Sequence, residues 1–328
     1  MREITYAQAI NEALHEEMKQ NPLVVCLGED IGVIGGNFGV TKGLQTEFGR
    51  DRVRDTPISE DGIVGMALGA ALVGVRPVAE IMFSTFLGCC MDEILNQVSA
   101  IRYMSGGQCS IPLVIRTANS LGRSGAAQHS GRTEAWIMHT PGIKVVIPFT
   151  PYDAKGLLKS AIRDPNPVIF FEHAIAYYTI KGMVPEEEYF IPLGVADIKR
   201  AGKDLTIVAY SVMVKKALEA ADILAKDGIE AEVVDPRTLA PLDMETIINS
   251  VKKTHRVIVA SEECETAGVC AEIGFRISNE AFDYLDMPVE RVATADVPVP
   301  YSPPLEKYMM AKTEDIVAKA RKLMGRDG

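Results

Sequence analysis

No apolar run in this chain is long enough to cross a bilayer. The longest, Ile63 to Val75, is closed by Arg76; it falls short of the roughly 20 residues a membrane helix needs and reads as a buried helix. Cysteine is sparse: Cys26, Cys89, Cys90, Cys109, Cys264 and Cys270 show no CxxC spacing. A chain of this size holds a core without disulfides, so they are expected as reduced, mostly buried thiols. Basic residues are outnumbered by acidic ones, 34 to 44, for a formal net charge of -10. That balance repels phosphate backbones and argues against nucleic-acid binding, which needs a basic face to release counterions. The start, Met1-Arg2-Glu3-Ile4-Thr5, has an acid at its third position. It lacks the apolar segment and cleavage site of a secretory signal, and no Arg- and Ser-rich transit peptide is visible, so a cytoplasmic protein is expected. Also missing are a GxxxxGK(S/T) loop, HExxH, GxSxG and GxGxxG, whose spacing Gly35-Gly36-Asn37-Phe38-Gly39 does not match. A self-sufficient nucleotide or metal enzyme is therefore not expected.

What is present is a globular composition, 47% hydrophobic and 24% charged. The 328 residues exceed one ordinary core of about 100–200, so two domains are expected. Short β-branched runs alternate with helical patterns, as in parallel sheets covered by helices on both faces. Strands are expected at Leu23–Leu27, Pro112–Arg116, Lys144–Ile147 and Val168–Phe171, and helices at Tyr6–Lys19, Ile63–Val75, Leu87–Tyr103 and Tyr152–Ile162. The last helix is preceded by Thr150-Pro151, an N-cap followed by proline in the first turn. The alternation breaks between Tyr177 and Lys203, around Glu186-Glu187-Glu188, and resumes at Leu205. Two doubly wound α/β domains are expected, over 1–185 and 200–328.

Four segments could carry chemistry. Asp55-Thr56-Pro57-Ile58-Ser59-Glu60-Asp61-Gly62 stands before the apolar helix. Ser59 could simply cap that helix while Glu60 and Asp61 complement its dipole, each worth about 0.3–1 kcal/mol; alternatively, a carboxylate beside an apolar helix is partly desolvated and suited to proton work. Gly125-Ala126-Ala127-Gln128-His129-Ser130-Gly131 places one of five histidines in a loop of small residues, either as an ordinary loop histidine or where a ligand approaches closely. Ile81-Met82-Phe83-Ser84-Thr85-Phe86 is core packing or a thioether and aromatic platform for a flat ring. Ala161-Ile162-Arg163-Asp164-Pro165-Asn166-Pro167 ends a helix, whose free carbonyls need water, a cap or a monovalent cation.

In this order and spacing these segments, with Gly28-Glu29-Asp30-Ile31-Gly32, Arg76-Pro77-Val78-Ala79-Glu80, Arg102-Tyr103-Met104-Ser105-Gly106-Gly107, Pro141-Gly142-Ile143-Lys144-Val145-Val146, Asp153-Ala154-Lys155-Gly156-Leu157-Leu158 and Asp296-Val297-Pro298-Val299-Pro300-Tyr301, resemble a known family. It is that of the β subunits of the thiamine-diphosphate-dependent decarboxylating component of the 2-oxo acid dehydrogenase complexes. The resemblance implies a pyrimidine-binding domain followed by a transketolase-type C-terminal domain. It also implies that the diphosphate and its magnesium sit on an α subunit, through a GDG-then-Asn motif. This chain has no GDG; Glu60-Asp61-Gly62 is the nearest.

Carried over residue by residue, the resemblance makes Glu60 the cofactor-activating glutamate, hydrogen-bonded to the aminopyrimidine ring nitrogen and favouring the imino tautomer. Glu29, Ile58, Met82 and Phe86 would join it in holding the cofactor. His129 would face the reacting substrate and the incoming lipoyl group, where a donor stabilises developing negative charge. The carbonyls of Leu113, Ala161, Ile162 and Asp164, with Asn166, match a structural potassium site of some members, and oxygen ligands suit such a cation. Two departures stand out: Pro165 lies inside that turn, and Gly131-Arg132 follow Ser130 where many relatives read QHSQ. Phe86-Leu87-Gly88-Cys89-Cys90-Met91-Asp92 with Glu172-His173 looks closest to the acetoin-cleaving branch, while other parts resemble pyruvate and branched-chain members equally.

The implied enzyme is an α2β2 heterotetramer with each active site at an α/β interface. It would break the bond next to a carbonyl of a 2-oxo acid or acetoin and pass the acyl group to lipoamide on an acyltransferase core. A non-catalytic scaffold of the same fold and a stand-alone transketolase-like enzyme are the alternatives; the presence of Glu60 and His129 argues against the first and the missing GDG against the second.

Overall fold

Thr5 starts the first helix, Tyr6–Gln20, through a capping box in which its hydroxyl accepts from the Gln8 amide and the Gln8 side chain accepts from the Thr5 amide; two otherwise orphaned donors are thereby satisfied. Tyr6, Ala9, Ile10, Ala13, Leu14, Glu17 and Met18 are buried, the stripe that helical spacing places on one face. That face packs on the helix Pro151–Arg163, whose start has the expected form: the Thr150 hydroxyl accepts from the Asp153 amide, with proline in the first turn. Lys155 and Lys159 are buried between the two helices, with Nζ 2.6 and 2.7 Å from the carboxylate of Glu16.

The chain, described by this computed structural model over residues 1–326, divides into two units, the first Met1–Leu193 and the second starting at Gly194. In the first, six parallel strands lie side by side in the order Lys144–Val146, Val168–His173, Val114–Asn119, Arg76–Ile81, Val24–Gly28 and Val53–Asp55. Helices Glu60–Leu72 and Pro151–Arg163 each connect two of them, as crossovers between parallel strands require, and Tyr6–Gln20 leads into Val24–Gly28. The strand Arg2–Thr5 pairs separately with Lys181–Val184. In the second unit, Glu290–Thr294, Val257–Cys264, Leu205–Ala209 and Ala231–Asp235 are parallel and in that order, and Asp197–Arg200 closes the edge antiparallel. Helices Met213–Lys226 and Thr313–Leu323 bury their apolar faces on this sheet, in a core that includes Leu205, Ile207, Met213, Leu224 and Ile316. Both units are doubly wound α/β, as expected. No helix among the described residues is long and apolar enough to cross a membrane.

Three details differ from the sequence reading. The helix expected at Ile63–Val75 runs Glu60–Leu72, because Gly74 takes a left-handed conformation that ends it. The single helix expected over Leu87–Tyr103 is a 3-10 segment, Ser84–Cys90, a π segment, Glu93–Val98, and a short α turn, Ile101–Met104; irregular helix of this kind is frequent near functional sites. Of the six free cysteines only Cys26, Cys90 and Cys270 are buried, while Cys89 is exposed.

Candidate functional site

In a doubly wound sheet, ligands meet the loops beyond the carboxyl ends of the strands. Gly28 is in register with Asp55 on one side and Glu80 on the other, and Ile81 with Thr117, so the loops after four adjacent strands open along one edge. Glu29 follows the first of these strands, Ile58 and Glu60 the second, Met82 and Phe86 the third, and His129 the fourth. The fold thus gathers on one edge six residues scattered over 101 positions of sequence, Glu29 to His129 (129 − 29 + 1).

The loops carrying Glu29 and Glu60 are tied together. The Gly32 amide donates to Asp55 Oδ1 at 2.7 Å and the Thr56 amide to the Gly28 carbonyl at 3.0 Å. A Cβ at Gly32 would fall 2.3 Å from both Asp55 Oδ2 and Gln45 Nε2, so only glycine permits this approach. Ser59 occupies the N-cap position of the helix Glu60–Leu72, yet its side chain makes no capping hydrogen bond. Ser59 therefore does not fill the simple capping role that the sequence allowed.

Glu60 is half-buried. Among the described residues its carboxylate has no hydrogen-bond or ion-pair partner. Two neighbours sense it electrically. Glu29 is held above the usual carboxylate range by burial, then by the charges of Glu60, Asp30 and Glu80. The Cys90 thiol is pushed up to about 12 by burial, then by the charge of Glu60. Glu93, beside Gly65 on the same helix, is raised by burial and by Asp61 and Asp92. The edge is acidic, and burial with neighbouring charge favours the protonated form of Glu29 and Glu93.

The opposite wall is aromatic. His129 is exposed, at the end of the turn Ala126–His129, and meets Phe83 and Phe86 edge-on with ring centroids 5.1 and 5.4 Å away. Phe83 in turn touches Phe38, and Phe38 stacks on Tyr177 at 4.7 Å. Met82 and Phe86 are half-buried, and Ile58 is 83% exposed. These groups can take a flat heteroaromatic ring, with Glu60 able to bond one of its nitrogens.

Phe38 and Tyr177, and the ion network behind them, escaped the sequence reading. Arg116 donates through Nε and Nη2 to Glu172 at 2.6 and 2.8 Å and through Nη1 to Glu80 at 2.8 Å. The Tyr177 hydroxyl donates to the same Glu172 carboxylate. The available signal was a charged residue within each of three apolar strands: Glu80, Arg116 and Glu172.

The suggested potassium ligands lie at the other end of the sheet. Leu113 precedes the strand Val114–Asn119, and Ala161, Ile162, Asp164 and Asn166 lie just before Val168–His173. The Ile162 carbonyl accepts from Arg76 Nη1 at 2.8 Å, Ala161 from the Asp164 amide at 3.2 Å and Leu113 from the Val168 amide at 2.9 Å. A carbonyl oxygen keeps a second lone pair, so the oxygens suit a cation, but the Arg76 charge already stands among them. Among the described residues no group of three or more His, Cys, Asp or Glu side chains is placed to hold a metal ion.

Comparison with known proteins identifies the two units of the chain. Residues 2–179 match the family Transketolase, pyrimidine binding domain, and residues 194–316 match Transketolase, C-terminal domain. The chain is 49% identical to the pyruvate dehydrogenase E1 component subunit beta of Bacillus subtilis, over 99% of each chain. It is 48% identical to the acetoin:2,6-dichlorophenolindophenol oxidoreductase subunit beta of Cupriavidus necator, over 98% of each, and 45% identical to the 2-oxoisovalerate dehydrogenase subunit beta of Bacillus subtilis, over 98% of this chain and 99% of that one. A solved split-gene transketolase, described as an inactive β4 tetramer, is 26% identical with a TM-score of 0.79, over 99% of this chain and all of that one. Relatives with three differently named activities are between 45% and 49% identical, so overall identity does not choose among them.

Proposed function

This chain belongs to the family of E1 β subunits of the 2-oxo acid and acetoin dehydrogenase complexes, built on the transketolase pyrimidine-binding and C-terminal domains, and we propose that it contributes the pyrimidine half of a thiamine-diphosphate site completed by an α subunit. One observation carries the reading: Glu60, half-buried, stands without a hydrogen-bond or ion-pair partner among the described residues, on an acidic strand edge that also carries Met82 and Phe86 in a neighbouring loop. Bound there, thiamine diphosphate supplies the electron sink for breaking the bond next to a substrate carbonyl. Glu60 holds a proton at the aminopyrimidine ring nitrogen. Met82, Phe86 and Ile58 cover the ring and exclude water. Glu29 sits close enough to Glu60 for the charge of Glu60 to help hold the Glu29 carboxyl up. His129, exposed beside Phe83 and Phe86, donates to charge that develops on the substrate or on the lipoyl acceptor.

The partners follow from the same reading. An α subunit brings the diphosphate and magnesium ligands, giving α2β2, and a lipoyl-bearing acyltransferase core receives the acyl group. We place the enzyme in the cytoplasm. Its substrate is a small 2-oxo acid or acetoin. Co-purification with the α subunit, followed by parallel assays of pyruvate, acetoin and branched-chain 2-oxo acids, tests the reading and selects the substrate.

A half-site should not act alone. In calorimetry, the isolated chain is expected to bind thiamine diphosphate weakly whether or not magnesium is present, and to turn over none of these substrates. Tight magnesium-dependent binding without a partner would sink the half-site proposal.

Potassium is proposed at the turn around Asp164, where it has to share the Ile162 carbonyl with Arg76. A bound ion should raise the thermal midpoint in KCl over NaCl at equal ionic strength by a few degrees, on the order of 2–4 °C per kcal/mol of linkage. Equal midpoints in the two salts would mean that Arg76 and Lys144, which pairs with the Asp164 carboxylate, satisfy the turn without an ion.

A further inference from the structure

We propose that Thr85 is a positioning residue for His129, acting through the backbone on either side of it and matched to the absence of a side chain at Gly131. The proposal rests on the reading of His129 given above. Among the described residues the imidazole makes no hydrogen bond, so the protein does not hold its nitrogens. Its place is set by the two phenylalanine rings and by the backbone that carries it.

That backbone is pinned on both sides of His129 by one short segment. Thr85 Oγ1 donates to the Gln128 carbonyl at 2.5 Å, and Ser84 Oγ donates to the Gly131 carbonyl at 2.9 Å. In return, Thr133 Oγ1 donates to the Ser84 carbonyl at 3.2 Å. Ser84 and Thr85 lie between Phe83 and Phe86, the two rings that His129 meets edge-on. Three hydroxyls therefore fix the imidazole loop and the aromatic wall as one piece, the kind of support that keeps a functional group in register.

Gly131 makes this closeness possible. A Cβ built there would lie 1.9 Å from Thr85 Cγ2 and 3.1 Å from Thr85 Cβ. Gly131 is not among the residues with positive φ, so the glycine serves space and not backbone conformation. The loop is tight at its other end too: Ser124 and Ala126 have φ of 55° and 57°, a region that costs non-glycine residues strain. Any side chain at position 131 must either turn the Thr85 side chain off its bond to Gln128 or push the loop, and His129 with it, away from Thr85; both undo the positioning. Displacement of a functional group by about 1 Å can cost a hundredfold in rate.

The test uses the reconstituted α2β2 enzyme and separates two readouts: acyl transfer to a lipoyl acceptor, which His129 is to serve, and hydrogen–deuterium exchange at the thiazolium carbon, which Glu60 is to serve. Gly131→Ala should slow transfer by roughly ten- to a hundredfold and leave exchange and the thermal midpoint near wild type. Adding Thr85→Ser removes Cγ2, keeps the hydroxyl, and should recover most of the lost rate. Thr85→Val keeps Cγ2 against Gly131, replaces the bond to Gln128 with a methyl set against that carbonyl, and should slow transfer with glycine still at position 131. It decides the matter alone if Gly131→Ala does not fold. Wild-type transfer in Gly131→Ala, or no recovery in the folded double variant, overturns the proposal. His129→Ala separates the two levels: transfer at the wild-type rate there removes the functional reading itself, whereas slow transfer in His129→Ala with normal transfer in Gly131→Ala removes only the positioning role.

Discussion

Glu60→Gln in the reconstituted enzyme is expected to slow hydrogen–deuterium exchange at the thiazolium carbon by roughly a hundredfold or more, the scale of a lost general acid–base group, while the fold stays intact. Glutamine keeps the shape of the side chain and can still donate and accept at the ring, but it cannot hold or release the proton. The stability cost should be small. Glu60 and Asp61 share the first turn of the helix Glu60–Leu72, and removing one of two acids there costs at most about 0.3–1 kcal/mol of dipole interaction. Glu29 provides an internal check. Its carboxyl is raised by burial first and next by the charge of Glu60, so the substitution should move its midpoint down, read by carboxyl-carbon NMR. The sign for stability follows: a carboxyl raised in the fold stabilises below its unfolded pKa, and that contribution is lost as pH rises through the folded value. Glu60→Gln narrows this window. Wild-type exchange in a folded variant would return Glu60 to being one more acid at a helix start.

The alternation of strands and helices was legible because each element carries its own pattern. Leu205–Ala209 is fully buried and reads as an apolar strand without help from the rest of the chain. Arg76–Ile81 was not recognised as a strand, although it lies between Val24–Gly28 and Val114–Asn119 in the sheet. Pro77 and Glu80 disguise it. A proline is tolerated near the start of a strand, and Glu80 is tolerated because Arg116, on the neighbouring strand, is its partner. That pairing depends on register, which no local window contains. The candidate site residues were singled out for a different reason: they sit in contiguous motifs, and a resemblance carries motifs whole. What it could not carry is their mutual geometry. Gly131 read as a departure within a motif; its contact with Thr85 shows a fitted pair from two distant segments. Ser59 had the right residue type and position for a cap, yet its side chain makes no such bond, since residue type states only what a group can do.

Arg116→Met is expected to cost about 3–5 kcal/mol of stability, the range for breaking a buried ion pair by removing one partner. The Arg116 side chain is 2% exposed, Glu172 is 0% exposed and Glu80 12%. Methionine fills much of the volume but removes the cation that stands between two interior carboxylates, and among the described residues the Tyr177 hydroxyl is then the one strong donor still on Glu172. The penalty should depend on pH in a stated direction. Burial already holds the Glu80 carboxyl high, against the pull of Arg116. Without the guanidinium the Glu80 carboxyl rises further in the fold, so acidification protonates it and relieves part of the cost, whereas raising the pH through its folded value increases it. Denaturant unfolding at pH 5 and pH 8 measures the difference, and Arg116→Met combined with Glu172→Gln and Glu80→Gln should recover a large part of the loss at the higher pH. Function should suffer with stability, because Tyr177 stacks on Phe38, Phe38 touches Phe83, and Phe83 carries the edge of His129. A loss below about 1 kcal/mol, or one that did not change with pH, would show that the carboxylates find water or new donors once Arg116 is gone, and that the wall behind His129 does not depend on a charge at its back.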